Sequence, residues 1–193
     1  MIPDKRRSAL AVALPALTLI GLSTRVWARG ATGDALSSGV VDVTGGRAAP
    51  GAVGLAVVCI VSLIALMTGG RVIRVASAAL MILSAMGALV LAGLVALRPA
   101  AVVAGALSQE LARTTAPDAT GVTTPWGWAA VGTGVLLVVG AAAAAASSRR
   151  WAGLSARYER ARPASGPRGE VRTAWDELSD GTDPTLRDEP DRA

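Results

Sequence analysis

Trp175, Asp176, Glu177 and Leu178 form the short motif in this chain whose residue types best suit recognition of another molecule. Thr173 precedes them, with Asp176 three residues on, the spacing of a loose capping box. A short helix started there would put Trp175 and Leu178 on one face, a surface for a protein partner or a membrane. Such a pair binds and does not catalyse. The acids Asp176, Glu177, Asp180 and Asp183 lack EF-hand spacing and are expected to be solvated rather than to hold calcium. Histidine is absent, which removes the commonest general base and metal ligand. Cys59 is alone and reads as a small buried residue. No phosphate loop, nucleophile elbow or zinc signature occurs. No catalytic, cofactor-binding or metal-binding residue is therefore assigned, and the chain is expected to be neither an enzyme nor the holder of a cofactor.

The elements that carry this motif are dominated by membrane-length apolar runs. Of 193 residues, 52% are hydrophobic and only 17% charged. Residues 8–24, 48–70, 75–97 and 121–148 contain no Asp, Glu, Lys or Arg. Each is long enough to cross a ~30 Å hydrocarbon core, which needs about 20 helical residues. The runs do not alternate, so they suit helices and not barrel strands. The expected fold is an all-α membrane protein, four transmembrane helices in an up-down bundle with a largely disordered cytoplasmic tail. Its parts are a cytoplasmic N-terminus at 1–7, a first span at 8–27, an outer loop at 28–49 and a second span at 50–68. A cytoplasmic turn at 69–74, a third span at 75–97, an outer loop at 98–124, a fourth span at 125–146 and a tail at 147–193 complete the chain.

The first run admits a second reading. Lys5, Arg6 and Arg7 before an apolar stretch resemble a signal peptide, with Val26 and Ala28 as small-residue positions ahead of a cleavage point. Arg25 and Trp27 crowd that point and read equally well as an anchor. Pro15 sits mid-span, where it removes a backbone donor. In the third span Ser84, Ala88, Ala92 and Ala96 recur every fourth residue and form a candidate helix-packing face. The first loop, rich in Gly and Ser, is expected to be irregular. In the second, residues 101–113 could continue as a short helix, with Val102, Val103, Ala106, Leu107 and Leu111 towards the membrane or bundle.

Basic residues set the orientation. With both termini inside, the cytoplasmic span ends carry Lys5, Arg6, Arg7, Arg71, Arg74, Arg149, Arg150, Arg157, Arg160 and Arg162. The opposite face carries only Arg25, Arg29, Arg47, Arg98 and Arg113. The excess places a multi-pass protein in the cell membrane with both ends cytoplasmic. Trp27, Trp126 and Trp128 at the outer side, and Trp151 with Arg149 and Arg150 at the inner, are the expected interface anchors. Residues 149–172 hold seven arginines against Glu159 and Glu170, a net +5, and residues 173–193 hold two against seven acids, a net −5. The expected partners are thus the bilayer, with anionic lipids near the proximal tail, and a cytoplasmic protein at Trp175, Asp176 and Leu178. Nucleic acid is not expected, because the arginines lack interleaved aromatic residues.

Four segments carry a family resemblance. They are Gly45-Gly46-Arg47-Ala48-Ala49-Pro50 before the second span and Thr124-Pro125-Trp126-Gly127-Trp128 at the fourth. Arg150-Trp151-Ala152-Gly153-Leu154-Ser155-Ala156-Arg157-Tyr158-Glu159 follows, and then Trp175-Asp176-Glu177-Leu178-Ser179-Asp180-Gly181-Thr182-Asp183-Pro184-Thr185. In this order they resemble the tryptophan-associated transmembrane protein family, small actinobacterial membrane proteins encoded beside tryptophan-biosynthesis genes. The resemblance implies four spans and an association with tryptophan biosynthesis, and it brings no catalytic residues. Two functions are expected from it: a non-enzymatic accessory or regulatory protein presenting its tail motif, or a small oligomeric transporter or permeability factor for tryptophan, indole or a related aromatic metabolite. Spans without ionisable residues weigh against the second.

Overall fold

Long runs of Ala, Leu and Val without charge become helices whose limits fall at Pro and Gly. The computed structural model describes residues 5–32, 40–110 and 118–148. All of these lie in one compact unit, Met1–Ser155; a second unit, Ala156–Ala193, lies outside the described residues. The order is α1 (Lys5–Leu22), β1 (Val26–Thr32), β2 (Val40–Thr44), a single turn α2 (Gly45–Ala48), α3 (Pro50–Thr68), α4 (Arg71–Leu97), α5 (Pro99–Glu110), β3 (Ala119–Thr123) and α6 (Pro125–Ser148).

Among the described residues three helices are long and apolar enough to cross a membrane: α3, α4 and α6, of 19, 27 and 24 residues. At 1.5 Å per residue they reach about 28, 40 and 36 Å. The protein is mostly helical, and four spans were expected. α1 has 18 residues but opens on Lys5, Arg6 and Arg7, so its uncharged part is only about 22 Å long. It nevertheless packs along α6 and α3.

The helices stay close because small residues line their contacts. Ser84, Ala88, Ala92 and Ala96 are all buried on α4. Ala88 and Ala92 share a core with Ala52 and Ala56 of α3 and with Ala130 and Ala141 of α6. On α6, a Cβ at Gly140 would collide with the Ala11 carbonyl of α1, and one at Gly134 would lie 3.2 Å from the Leu89 Cα of α4. These glycines therefore set the α1–α6 and α4–α6 spacing, the form of packing that associates helices in lipid. Large side chains such as Leu14, Leu17, Leu83, Val90, Leu136 and Val139 point outward and are exposed. An apolar exterior of this extent suits lipid and not water.

Several limits differ from those expected. α4 begins at Arg71, so the turn between α3 and α4 shrinks from six residues to Gly69 and Gly70. Gly69 N–H bonds to the Ala65 carbonyl at 2.8 Å, and any Cβ there would meet that oxygen at 2.7 Å, so a glycine is needed to close the chain this tightly. α6 runs on to Ser148, and Ser147 and Ser148 turn their hydroxyls back to the Ala144 and Ala145 carbonyls. α1 stops at Leu22, five residues short of the expected end at 27, where a turn leads into β1.

The all-α expectation is corrected by a three-stranded antiparallel sheet of order β2-β1-β3. Its strands come from the two segments expected to be loops, and β1 pairs with β3 some 90 residues away, Gly30 facing Gly121. α5 covers the sheet, burying Val103, Ala106 and Leu107 against Ala28 and Val43 rather than against the bundle or the membrane. The facing glycines make that approach feasible, since a Cβ at Gly30 would run into Val103 and Thr120, and one at Gly121 would meet Pro99 and Ala100.

Candidate functional site at the sheet end of the bundle

Trp27 is the largest fully buried side chain and the pin of this end. It follows α1 by five residues, and its Nε1–H donates to the Leu22 carbonyl at 2.8 Å, closing the frayed end of that helix. The indole leaves no room at Gly45 for any side chain. The backbone N–H groups of Gly45 and Gly46 bond to the carbonyls of Arg25 and Ser23 at 2.9 and 2.8 Å. Arg47 reaches Glu110 at the end of α5, 2.8 Å away, and Pro50 takes the first turn of α3, where a missing N–H costs nothing. Gly45 and Gly46 thus tie this segment to the turn after α1, and Arg47 ties it to α5, so that the sheet, α2 and α5 form one cap on this end of the bundle.

The segment at the start of α6 docks on the same pin. Thr124 N–H donates to the Trp27 carbonyl at 2.9 Å, and its hydroxyl donates to the Val26 carbonyl at 2.5 Å. Gly127 N–H bonds to the Thr124 carbonyl at 3.0 Å, opening α6. A Cβ on Gly127 would lie 2.8 Å from the Trp27 carbonyl, so this glycine is fitted to the strand beside it. Thr123 adds a hydroxyl bond of 2.6 Å to the Ala96 carbonyl near the end of α4.

Thr124, Pro125 and Trp126 of this segment, with Thr24, Arg25, Val26 and Arg29 of the turn and strand that follow α1, line a cleft of about 360 Å³. The Arg25 guanidinium carbon lies 5.4 Å from the centre of the Trp126 ring, within cation–π range. Arg29 is opposite Asp42 in the β1–β2 register and grips it with two bonds, 2.6 and 3.1 Å. That pairing holds the Asp42 carboxyl below its usual range, through the hydrogen bond first, and raises Arg29 further for the same reason. Both side chains are solvated, so the pair fixes register more than it stabilises.

A family pattern matches residues 9–185, nearly the whole chain, under the description tryptophan-associated transmembrane protein. The chain belongs to this family. No curated protein and no solved structure matches it. In this tryptophan-associated transmembrane protein two of the four motif segments meet at one end of the bundle, and both touch Trp27.

Trp126 and Trp128 are about half exposed, 47% and 53%, where the chain enters α6. Trp27 differs from its expected place at the interface: it is 0% exposed, because the strand that follows α1 folds the indole back over the helix end. Trp151, Arg149, Arg150, Trp175, Asp176 and Leu178 lie outside the described residues. Among the described residues no group of three or more His, Cys, Asp or Glu comes together as a metal site would require.

The opposite end holds residues that spacing did not single out. Arg74 donates through Nη1 to the Ser148 carbonyl at 3.2 Å and through Nη2 to the Gly69 carbonyl at 3.5 Å. A guanidinium at the last carbonyls of α6 complements the negative end of that helix. Ser8 and Ser147 join α1 to α6 at 3.1 Å. The Ser147 proton goes to Ala144, so Ser8 is the donor between them. The cue available in the sequence was an Arg one turn after a Gly-Gly pair, which read only as a surface charge.

Proposed function

We propose that this protein is a non-enzymatic accessory or regulatory member of the tryptophan-associated group, with its bundle anchoring a tail motif for a cytoplasmic partner. The observation that carries the reading is the extent of the family match, which continues for 37 residues past the end of α6, from 149 to 185. A tail that served only as a solvated end would share no such pattern. Under this reading Trp175, Asp176 and Leu178 contact the partner, while Arg149, Arg150 and Trp151 meet anionic lipid at the inner surface.

The same reading makes α1 a fourth span in the cell membrane. Val12, Ala16 and Leu19 are fully buried while Leu10, Leu14 and Leu17 face outward, the same division that α3, α4 and α6 display. The basic excess at Lys5 to Arg7, Arg71 and Arg74 supports cytoplasmic termini and an external cap. The long side chains of Lys5, Arg6 and Arg7 can extend towards the headgroups, which adds reach to a short apolar helix.

Site-specific photocrosslinking from the tail of the full-length protein in its native membrane tests the proposal. A single discrete adduct is expected, lost in the Trp175→Ala/Leu178→Ala variant while membrane insertion is unchanged. An adduct pattern that is the same in wild type and variant would end the reading. Protein-dependent flux of labelled tryptophan or indole in reconstituted vesicles would replace it with the transport alternative.

A further inference from the structure

We infer that the cleft between Arg25, Arg29 and Trp126 is a binding site for the anionic phosphate headgroup of a phospholipid, taken from the leaflet on the sheet side. Arg25 has no carboxylate within ion-pair distance among the described residues, and Trp126 holds it from one face. Arg29 spends two of its N–H groups on Asp42 and keeps three for another acceptor. The positive end of the 24-residue α6 opens at Pro125, one of the residues lining the same cleft. Two guanidinium groups and a helix start around one opening favour an oxyanion with several acceptor atoms, and phosphate geometry suits arginine.

The phosphate could be free or carried by a lipid, and the surroundings favour the lipid. Arg25 lies three residues beyond α1, which carries Leu14 and Leu17 exposed along its length. Trp126 is the second residue of α6, and two residues on the half-exposed Trp128 heads the outward face that Val135 and Val139 continue. An indole and an arginine at the ends of two lipid-facing helices stand at headgroup height, where both are favoured. Acyl chains can therefore lie along α1 and α6 while the phosphate sits in the cleft. This inference rests on the proposed placement of α1 against lipid and is independent of the tail.

Hydrogen exchange of the full-length protein in lipid nanodiscs tests it. In discs containing phosphatidylglycerol, amides in residues 24–29 and 126–128 are expected to exchange roughly fivefold or more slowly than in phosphatidylcholine discs, since a ligand above its dissociation constant stabilises the closed form. Arg25→Gln should remove that difference. Its side chain is exposed, so in phosphatidylcholine discs, where no headgroup fills the cleft, exchange in the β1–β2 ladder should stay as in wild type. Trp126→Leu, which keeps the charge, should reduce the difference and provides a second route should Arg25→Gln loosen the cap. Equal exchange in both lipids, or protection that survives both substitutions, would overturn the inference. Equal protection by soluble glycerol phosphate in phosphatidylcholine discs would overturn the lipid as its source.

Discussion

At the sheet end of the bundle, a buried indole, three strands and a covering helix tie α1, α3, α4 and α6 together through hydrogen bonds to backbone carbonyls. At the other end two glycines, one arginine and a pair of serine hydroxyls do the same work. The first arrangement needs many residues fitted to one another, and it is there that the Gly45 to Pro50 and Thr124 to Trp128 segments are found. The second needs few, and its polar groups mostly satisfy helix carbonyls that would otherwise be orphaned. The contrast teaches that the described structure has one end built as a small folded unit and one built as a clasp. A ligand site is to be sought at the first, and disruption of the first should be the more costly.

Trp27→Ala is the strongest way to break that contrast. It empties a fully buried site and removes the bond to Leu22, so a loss of about 3–5 kcal/mol is expected in equilibrium unfolding in detergent, with the 26–32 strand becoming protease-sensitive. A loss no larger than that of the clasp variants would show the cap to be an appendage. Arg74→Ala comes next, at roughly 1.5–3 kcal/mol, because charged hydrogen bonds to Ser148 and Gly69 are lost together. Its effect should appear as faster exchange in the last turn of α6 with the sheet untouched. Ser147→Ala should cost only about 0.5–1.5 kcal/mol, read from the same unfolding curve, and Ser8→Ala no more than that, since it loses only the bond the two share while Ser147→Ala also gives up the bond to Ala144.

The smallest effect sharpens the comparison through pH. Asp42 is held below its usual range by Arg29, so its pairing contributes fully above the ordinary carboxylate range and fades as pH falls through the lowered value. Acidification should therefore speed amide exchange in β2 slightly, and Asp42→Asn should abolish that dependence. The α3–α4 turn, which contains no carboxylate, should show no such change over the same acid range.

Much of the bundle was legible because bilayer-length runs without charge have one solution, a helix that satisfies its own backbone. Pro50 and Pro125 marked helix starts correctly, and the Ser84 to Ala96 stripe is buried as its four-residue period required. The cap was not legible. Its strands are five to seven residues long, and β1 finds β3 only across two intervening helices of the bundle, so no local pattern announces the pairing. Gly45 and Gly127 stood out as motif members without a reason, because the reason is an indole or carbonyl contributed by a distant strand.

The sequence alone determined that this is a membrane protein, where its apolar helices run and to which family it belongs, since all three depend on composition and order along the chain. Only the tertiary structure decided that Trp27 is a core residue rather than an interface anchor and that the loops form a sheet. It also decided that Arg25 meets Trp126 across a cleft. Those outcomes depend on which segments come within a few ångströms of each other, a property of the packed chain that no single stretch of residues contains.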